Sequence, residues 1–198
     1  MAELVTIFIS TALINNFVLT KFLGLCIFFG ISKRMDISIS MGAVVIFVMI
    51  MSSILGWAIY DFILVPLQIE FLRIIVFVIV IAAFVQLVEM VVKKHLPGHY
   101  KMWGIYLLLI ATNCIVLSIP LINVENHFNL IQSVVNALGS GVGFALALIL
   151  MSSIREKLEL APIPKSLQGF GIAFIVAGLL CLAFMGFNGI VKPLAGGI

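Results

Sequence analysis

Long apolar runs separated by short polar stretches organise the whole chain. Six spans are predicted, at residues 4–31, 38–60, 72–92, 102–121, 130–154 and 168–191. Each approaches or exceeds the roughly 20 apolar residues that a helix needs to cross the hydrocarbon core of a bilayer. The longest connection, around Asp61 to Glu70, is about ten residues, so no loop can fold as a catalytic head or nucleotide-binding domain. The expected fold class is an all-α membrane protein forming a single integral membrane domain over 1–198.

Two of the six spans are interrupted. The first carries Asn15, Asn16, Thr20, Lys21 and Gly24 before Cys26, and the fourth carries Thr112 and Asn113 immediately before Cys114. The 29 residues between Glu3 and Lys33 would reach about 43 Å as one straight helix, which calls for a break or a strong tilt. These polar interruptions, and the lack of a small-residue cleavage site, argue against a removable signal peptide.

Short motifs recur in the same order in both halves. Cys26-Ile27-Phe28-Phe29-Gly30-Ile31 is echoed by Cys114-Ile115-Val116-Leu117-Ser118-Ile119, and Met51-Ser52-Ser53-Ile54 by Met151-Ser152-Ser153-Ile154. Three spans per half would insert the halves in opposite senses, so two inverted three-helix repeats are expected, at about 1–95 and about 100–198. Proteins built this way tend to place their site near the midplane, on spans broken by polar or small residues. The first and fourth spans, broken near Cys26 and Cys114, are therefore where a site is sought.

Composition agrees with the pattern. The chain is 64% hydrophobic and 10% charged, with a mean hydropathy of +1.33, whereas a soluble domain carries about a quarter charged residues. Lys33, Arg34, Lys93, Lys94, Lys101, Arg155, Lys157 and Lys165 fall on one side of the spans, eight of eleven basic residues. That side is read as cytoplasmic, which puts both termini outside. The net charge of +3 reflects this asymmetry and implies no nucleic-acid partner.

The chemistry that could be housed here is thiolate chemistry. A single cysteine in lipid is an acceptable small hydrophobe, and packing remains the simple reading of Cys26 and Cys114. Their matched context favours a thiolate pair, which in a dry interior holds a metal or an iron–sulfur cluster. As straight helices Cys26 would lie about 10 Å and Cys114 about 20 Å from the cytoplasmic border, so the pair also requires broken helices. Two thiolates are half of the four ligands a [2Fe–2S] cluster takes, so a second, similar chain would have to supply the others. His95, His99 and His127 are read as loop residues, poorly placed to help. Cys181 has different flanks and is read as packing, and three cysteines within spans form no disulfide framework.

Lys21 and Glu89 are charges within spans, a costly placement that usually marks a bundle interior or a pathway. Lys21 could snorkel, pair with a partner chain or offset thiolate charge. Glu89, four residues from Lys93 and on one face with Gln86, suits snorkelling or a cation pathway. Asn15, Asn16 and Asn113 could cap half-helices, bond sulfur or bond between helices. Gly139, Gly141 and Gly143 read as close helix packing rather than a phosphate loop, and Arg155-Glu156-Lys157 as a solvated helix end or a docking contact. A transporter component with packing cysteines and a purely structural scaffold remain alternatives.

Several motifs together resemble a known family. They are Asn15-Asn16-Phe17-Val18-Leu19, Lys21-Phe22-Leu23-Gly24-Leu25-Cys26, Thr112-Asn113-Cys114, Ile154-Arg155-Glu156-Lys157 and Ala177-Gly178-Leu179-Leu180 with Phe184-Met185-Gly186-Phe187. Over essentially its whole length the chain resembles the small membrane subunits of the Rnf and Nqr complexes. The first and last motifs favour the Rnf ferredoxin:NAD⁺ oxidoreductase over the sodium-pumping NADH:quinone reductase. The resemblance implies a bacterial inner-membrane subunit paired with a homologous, oppositely oriented partner, the E-type subunit in Rnf. It implies one intramembrane [2Fe–2S] cluster whose iron is held by Cys26, Cys114 and two partner cysteines. It further implies single-electron relay coupled to Na⁺ or H⁺ movement, with flavins, other clusters and the NAD site on other subunits. Asn15, Lys21, Gly24, Thr112, Asn113 and Glu89 become candidates for the cluster's surroundings or an ion path.

Overall fold

The computed structural model describes residues 2–32, 34–67, 70–95, 110, 113–162, 164 and 169–191. All regular structure among them is helical. Helix α1, Ala2–Ile9, runs on as a wider π-helical turn, Ser10–Ile14. Ten residues outside any helix then lead to α2, Leu25–Ile31. Helix α3, Met35–Ile59, continues through a π turn, Tyr60–Leu64, into the short α4, Val65–Leu67. A 3₁₀ turn, Glu70–Leu72, precedes α5, Arg73–His95. Helices α6, Cys114–Glu125, α7, Leu130–Glu159, and α8, Phe170–Val191, follow.

Three stretches, Met35–Leu64, Arg73–Val91 and Leu130–Glu159, are long and apolar enough to cross a membrane. Leu4–Ile14, Cys114–Glu125 and Phe170–Gly186 are shorter apolar helices. The connection expected over 61–70 is largely helical instead. Phe62, Ile63 and Leu64 extend the apolar run past Asp61, and no helix breaker intervenes before Pro66. Pro66 sits in α4, which directly follows the π turn, and withdraws one N–H from this helical run, whose described residues end at Leu67. His95, expected in a loop, closes α5, and the second and fifth spans run to Leu64 and Glu159.

Internal packing divides the chain into two compact units. One comprises residues up to Ala43 and from Gly139 onward; the other is Val44–Leu138. The boundaries fall inside α3 and α7.

In the first unit, α7 meets the α1 turn backbone against backbone. A Cβ on Gly143 would lie 2.7 Å from the Ala12 carbonyl oxygen and 3.2 Å from the Ala12 Cα. One on Gly139 would collide with the Thr11 hydroxyl and reach 3.0 Å from the Phe8 carbonyl oxygen. The close packing expected of these glycines is therefore present, four residues apart on one face. Helix α8 buries Ala173, Ala177, Cys181 and Phe184 along one stripe and stacks Phe174 on Phe29, ring centroids 4.4 Å apart.

The second unit is organised around a proline. Pro120 lies inside α6, and its ring fits only because residue 56 is glycine: a Cβ there would sit 2.6 Å from the Pro120 Cβ. Proline has no N–H, so the carbonyl four residues earlier, that of Val116, loses its helical donor. The buried Ser52 hydroxyl donates to that carbonyl over 3.1 Å. Beside it runs a buried chain of polar groups. Asn136 Nδ2 donates to Asn123 Oδ1 at 2.6 Å, Asn123 Nδ2 to Ser53 Oγ at 2.8 Å, and Ser53 Oγ to the Ser133 carbonyl at 2.9 Å. Both serines of the first Met-Ser-Ser-Ile motif thus donate to backbone carbonyls of neighbouring helices. In the second, Ser153 turns back to the Ile149 carbonyl at 2.9 Å and also reaches the Met35 sulfur at 3.6 Å.

Candidate functional site

Cys26 is placed by the break that precedes it, and the break is built around Asn16. This side chain is 1% exposed. Its Nδ2 donates to the Gly143 carbonyl at 2.8 Å, and its Oδ1 accepts the Val18 N–H at 3.1 Å. Its own carbonyl accepts both the Thr20 hydroxyl and the Thr20 N–H, each at 2.8 Å. Leu23 N–H closes on the Phe17 carbonyl at 3.0 Å. Backbone that leaves a helix inside lipid must be satisfied by protein, and here the N–H groups of Asn15, Val18, Thr20 and Leu23 find protein acceptors. Asn15 is exposed and donates to Ser10 Oγ at 3.3 Å.

The chain re-enters a helix through two left-handed residues, Phe22 at φ +56° and Gly24 at φ +79°. Glycine adopts this geometry without strain, whereas a phenylalanine there costs about 1–2 kcal/mol. Gly24 is the N-cap of α2, so Cys26 lies in its first turn. The thiol is exposed and lines an apolar hollow of about 360 Å³ with Leu25, Phe29, Gly30, Phe170 and Phe174. Lys21 is exposed, its Nζ 5.0 Å from the centroid of the Phe17 ring.

The C-terminal end of α2 is clamped from α7. Arg155 Nη1 donates to the Phe29 carbonyl at 3.0 Å and to Ser32 Oγ at 2.8 Å. Glu156 Oε1 accepts the Met35 N–H at 2.9 Å, supplying the N-terminus of α3. The solvated helix end expected for Arg155-Glu156-Lys157 is thus corrected at Arg155, while Glu156 and Lys157 are exposed. Arg155 is half-buried and works as a tie between helices, and only Lys157 matches the expectation of an exposed cation. A basic residue more than a hundred positions from its partners gives no sequence signal of this kind.

Cys114 is the first residue of α6, and its thiol too is exposed. Asn113 is extended at φ −75°, ψ 120°, and caps the helix: its Oδ1 accepts the Ile115 N–H at 3.2 Å. The same oxygen lies 4.0 Å from Cys114 Sγ. Asn113 is buried at 2%, and its Nδ2 has no hydrogen-bond partner. Burying an amide donor unpaired costs about 1–3 kcal/mol. Thr112 lies outside the described residues. Cys181 is buried on the inner stripe of α8, in keeping with packing. Glu89, in α5, is half-buried and Gln86 exposed.

Both cysteines therefore occupy the opening turn of a helix that begins within an apolar segment. The first N–H groups of a helix have no intrahelical acceptor, so each thiol sits beside backbone donors that its own helix does not pair. Cys26 belongs to the first unit and Cys114 to the second. Among the described residues no three His, Cys, Asp or Glu side chains gather to hold a metal ion. Each thiol is by its chemistry a possible sulfur ligand, and Cys114 has an orphaned buried amide donor on the residue before it.

These features define a multi-pass, all-helical membrane protein with helices that start inside apolar segments. The match to known proteins is specific. The chain belongs to the Rnf-Nqr family, described as Rnf-Nqr subunit, membrane protein, which it matches over residues 4–191. Over 192 residues it is 59% identical to the A-type subunit of the proton-translocating ferredoxin:NAD(+) oxidoreductase complex of Clostridium ljungdahlii, covering 97% of this chain and 100% of the relative. It is 50% identical over 192 residues to the A-type subunit of the ion-translocating oxidoreductase complex of Glaesserella parasuis, with the same coverage. It is 47% identical over 186 residues to the A-type subunit of the Na(+)-translocating ferredoxin:NAD(+) oxidoreductase complex of Acetobacterium woodii, covering 94% and 97%.

Proposed function

We propose that this chain is the A-type membrane subunit of an Rnf-type ion-translocating ferredoxin:NAD⁺ oxidoreductase. In this reading it holds half of an intramembrane [2Fe–2S] cluster. The observation that carries the reading is the placement of Cys26 and Cys114. Both are exposed thiols in the first turn of a helix that starts inside an apolar segment, in a chain 59% identical to a component of such a complex.

Cys26 and Cys114 supply two thiolates to iron, and a homologous E-type partner supplies two more. When bound, the cluster stores and passes one electron at a time. Everything else this chain contributes is position and environment. The Asn16-centred break and Gly24 deliver Cys26 to the head of α2, Arg155 fixes the other end of that helix, and the Asn113 cap fixes the start of α6. The open hollow beside Cys26 surrounds the thiol with apolar side chains. Flavin and NAD sites belong to other subunits. The chain sits in the bacterial inner membrane as six spans in two inverted repeats, with both termini outside, and the complex moves Na⁺ or H⁺. The names of the relatives above support Rnf membership over the quinone-reducing complex.

The test is the intact complex purified from membranes. Cys26→Ser and Cys114→Ser should each remove one [2Fe–2S] signal from the electron paramagnetic resonance spectrum, lower the iron content and stop ferredoxin-dependent NAD⁺ reduction. Cys181→Ser should change none of these. A full complement of iron and signal in the Cys26→Ser complex would overturn the reading.

A further inference from the structure

We infer that Asn113 is a hydrogen-bond donor to the sulfur at Cys114 when that cysteine ligates iron, and that it thereby raises the site's reduction potential. The inference rests on the reading of Cys114 as a ligand. Its starting point is the orphaned Nδ2, buried in a residue 2% exposed and next in sequence to the thiol. The orientation of this amide is set by chemistry. Its oxygen must face the Ile115 N–H to cap α6, at 3.2 Å, so the nitrogen is the atom left over.

The contrast with Asn16 is direct. That residue also precedes a candidate ligand in a broken segment, yet its nitrogen donates to the Gly143 carbonyl and its oxygen accepts from Val18. The hydroxyls of Ser118, Ser133 and Ser152 are unpaired as well. A hydroxyl can rotate onto a carbonyl of its own helix, whereas an amide whose oxygen is locked in a cap cannot turn its nitrogen elsewhere.

Protonation decides what the amide meets. As a thiol, Cys114 faces the Asn113 oxygen at 4.0 Å as a weak donor. Metal binding releases the thiol proton, and the sulfur becomes an acceptor only. The free donor on the adjoining side chain is then Nδ2. An N–H directed at cluster sulfur stabilises the more negative, reduced state, and such bonds are among the determinants of cluster potential.

The test is a redox titration of the intact complex, following the resonance signal that Cys114→Ser abolishes. Asn113→Ser keeps a good helix cap but withdraws the N–H. It should lower the equilibrium constant for reduction about tenfold, a fall of about 59 mV for one electron. Asn113→Asp keeps the cap and the shape, replaces the donor with an oxygen, and should lower it further. Potentials equal to wild type in both variants would reduce Asn113 to a cap and overturn the inference, as would loss of the signal from both. If only one variant retains the signal, its potential decides. A wild-type complex with no signal dependent on Cys114 would instead refute the proposed cluster itself, a separate failure.

Discussion

Ser52 and Pro120 form a pair whose coupling can be measured. The Ser52 hydroxyl donates at 3.1 Å to the Val116 carbonyl, the group that Pro120 deprives of its helical donor. Removing the hydroxyl with Ser52→Ala leaves a buried carbonyl without that bond, at a cost of about 1–3 kcal/mol. Pro120→Ala by itself has mixed consequences. It restores an N–H to α6, and it empties the space that Gly56 leaves for the ring, where a Cβ would lie 2.6 Å from the proline Cβ. The sum of those effects is hard to sign, but the double-mutant cycle removes it. In the Pro120→Ala background the new N–H reaches the Val116 carbonyl, so Ser52→Ala should then cost less than about 0.5 kcal/mol. The expected coupling is about 1–2 kcal/mol, measured from reversible unfolding of the four proteins in mixed micelles. Costs that add to within about 0.5 kcal/mol would refute the account of why that serine is there.

Other positions give shorter tests. Gly143→Ala would force a Cβ against the Ala12 backbone and should destabilise by about 1–3 kcal/mol. Gly178→Ala meets nothing within 4 Å and should gain about 0.5–1 kcal/mol; equal melting temperatures for the two would contradict the close-packing argument. Asn16→Asp keeps the acceptor for Val18 but sets an oxygen against the Gly143 carbonyl, so it should melt below wild type and no better than Asn16→Ala. Arg155→Ala removes two bonds from a charged donor and should cost about 1.5–3 kcal/mol, read by the same melts, with Lys157→Ala as the near-neutral control. A maleimide should modify Cys26 and Cys114 in the isolated chain and spare Cys181, while the intact complex should protect all three. Equal labelling of Cys26 in both states would argue against its burial as a ligand.

What the sequence made legible follows from how physical signals are written into it. Apolar runs announced the membrane helices, because lipid leaves no choice but to satisfy backbone groups within the segment. The polar cluster Asn15 to Gly24 announced the break before Cys26, and Gly139 with Gly143 announced the close helix contact, since each uses a residue type that is expensive or empty in an apolar helix. The chain past Tyr60 was misread because Asp61 looks like the end of a span, whereas Phe62 to Leu64 keep the helix going through a π turn. Arg155 was misread for a related reason. Its partners are the Phe29 carbonyl and the Ser32 hydroxyl, more than a hundred residues away, and a backbone acceptor has no signature in the sequence.

The polar side chains of this protein share a task that composition alone does not reveal. Where a helix is broken or a proline interrupts it, a buried polar side chain supplies the missing bond: Asn16 at the first break, Ser52 opposite Pro120, Arg155 at the end of α2. In an apolar solvent that service is obligatory, so each such residue has a structural reason to exist and needs no redox role. Asn113 performs the same service with its oxygen and then leaves its nitrogen buried and unpaired beside a thiol. Unlike the unpaired hydroxyls of Ser118, Ser133 and Ser152, this amide nitrogen cannot rotate onto a carbonyl of its own helix. There structure stops explaining the residue and chemistry has to begin.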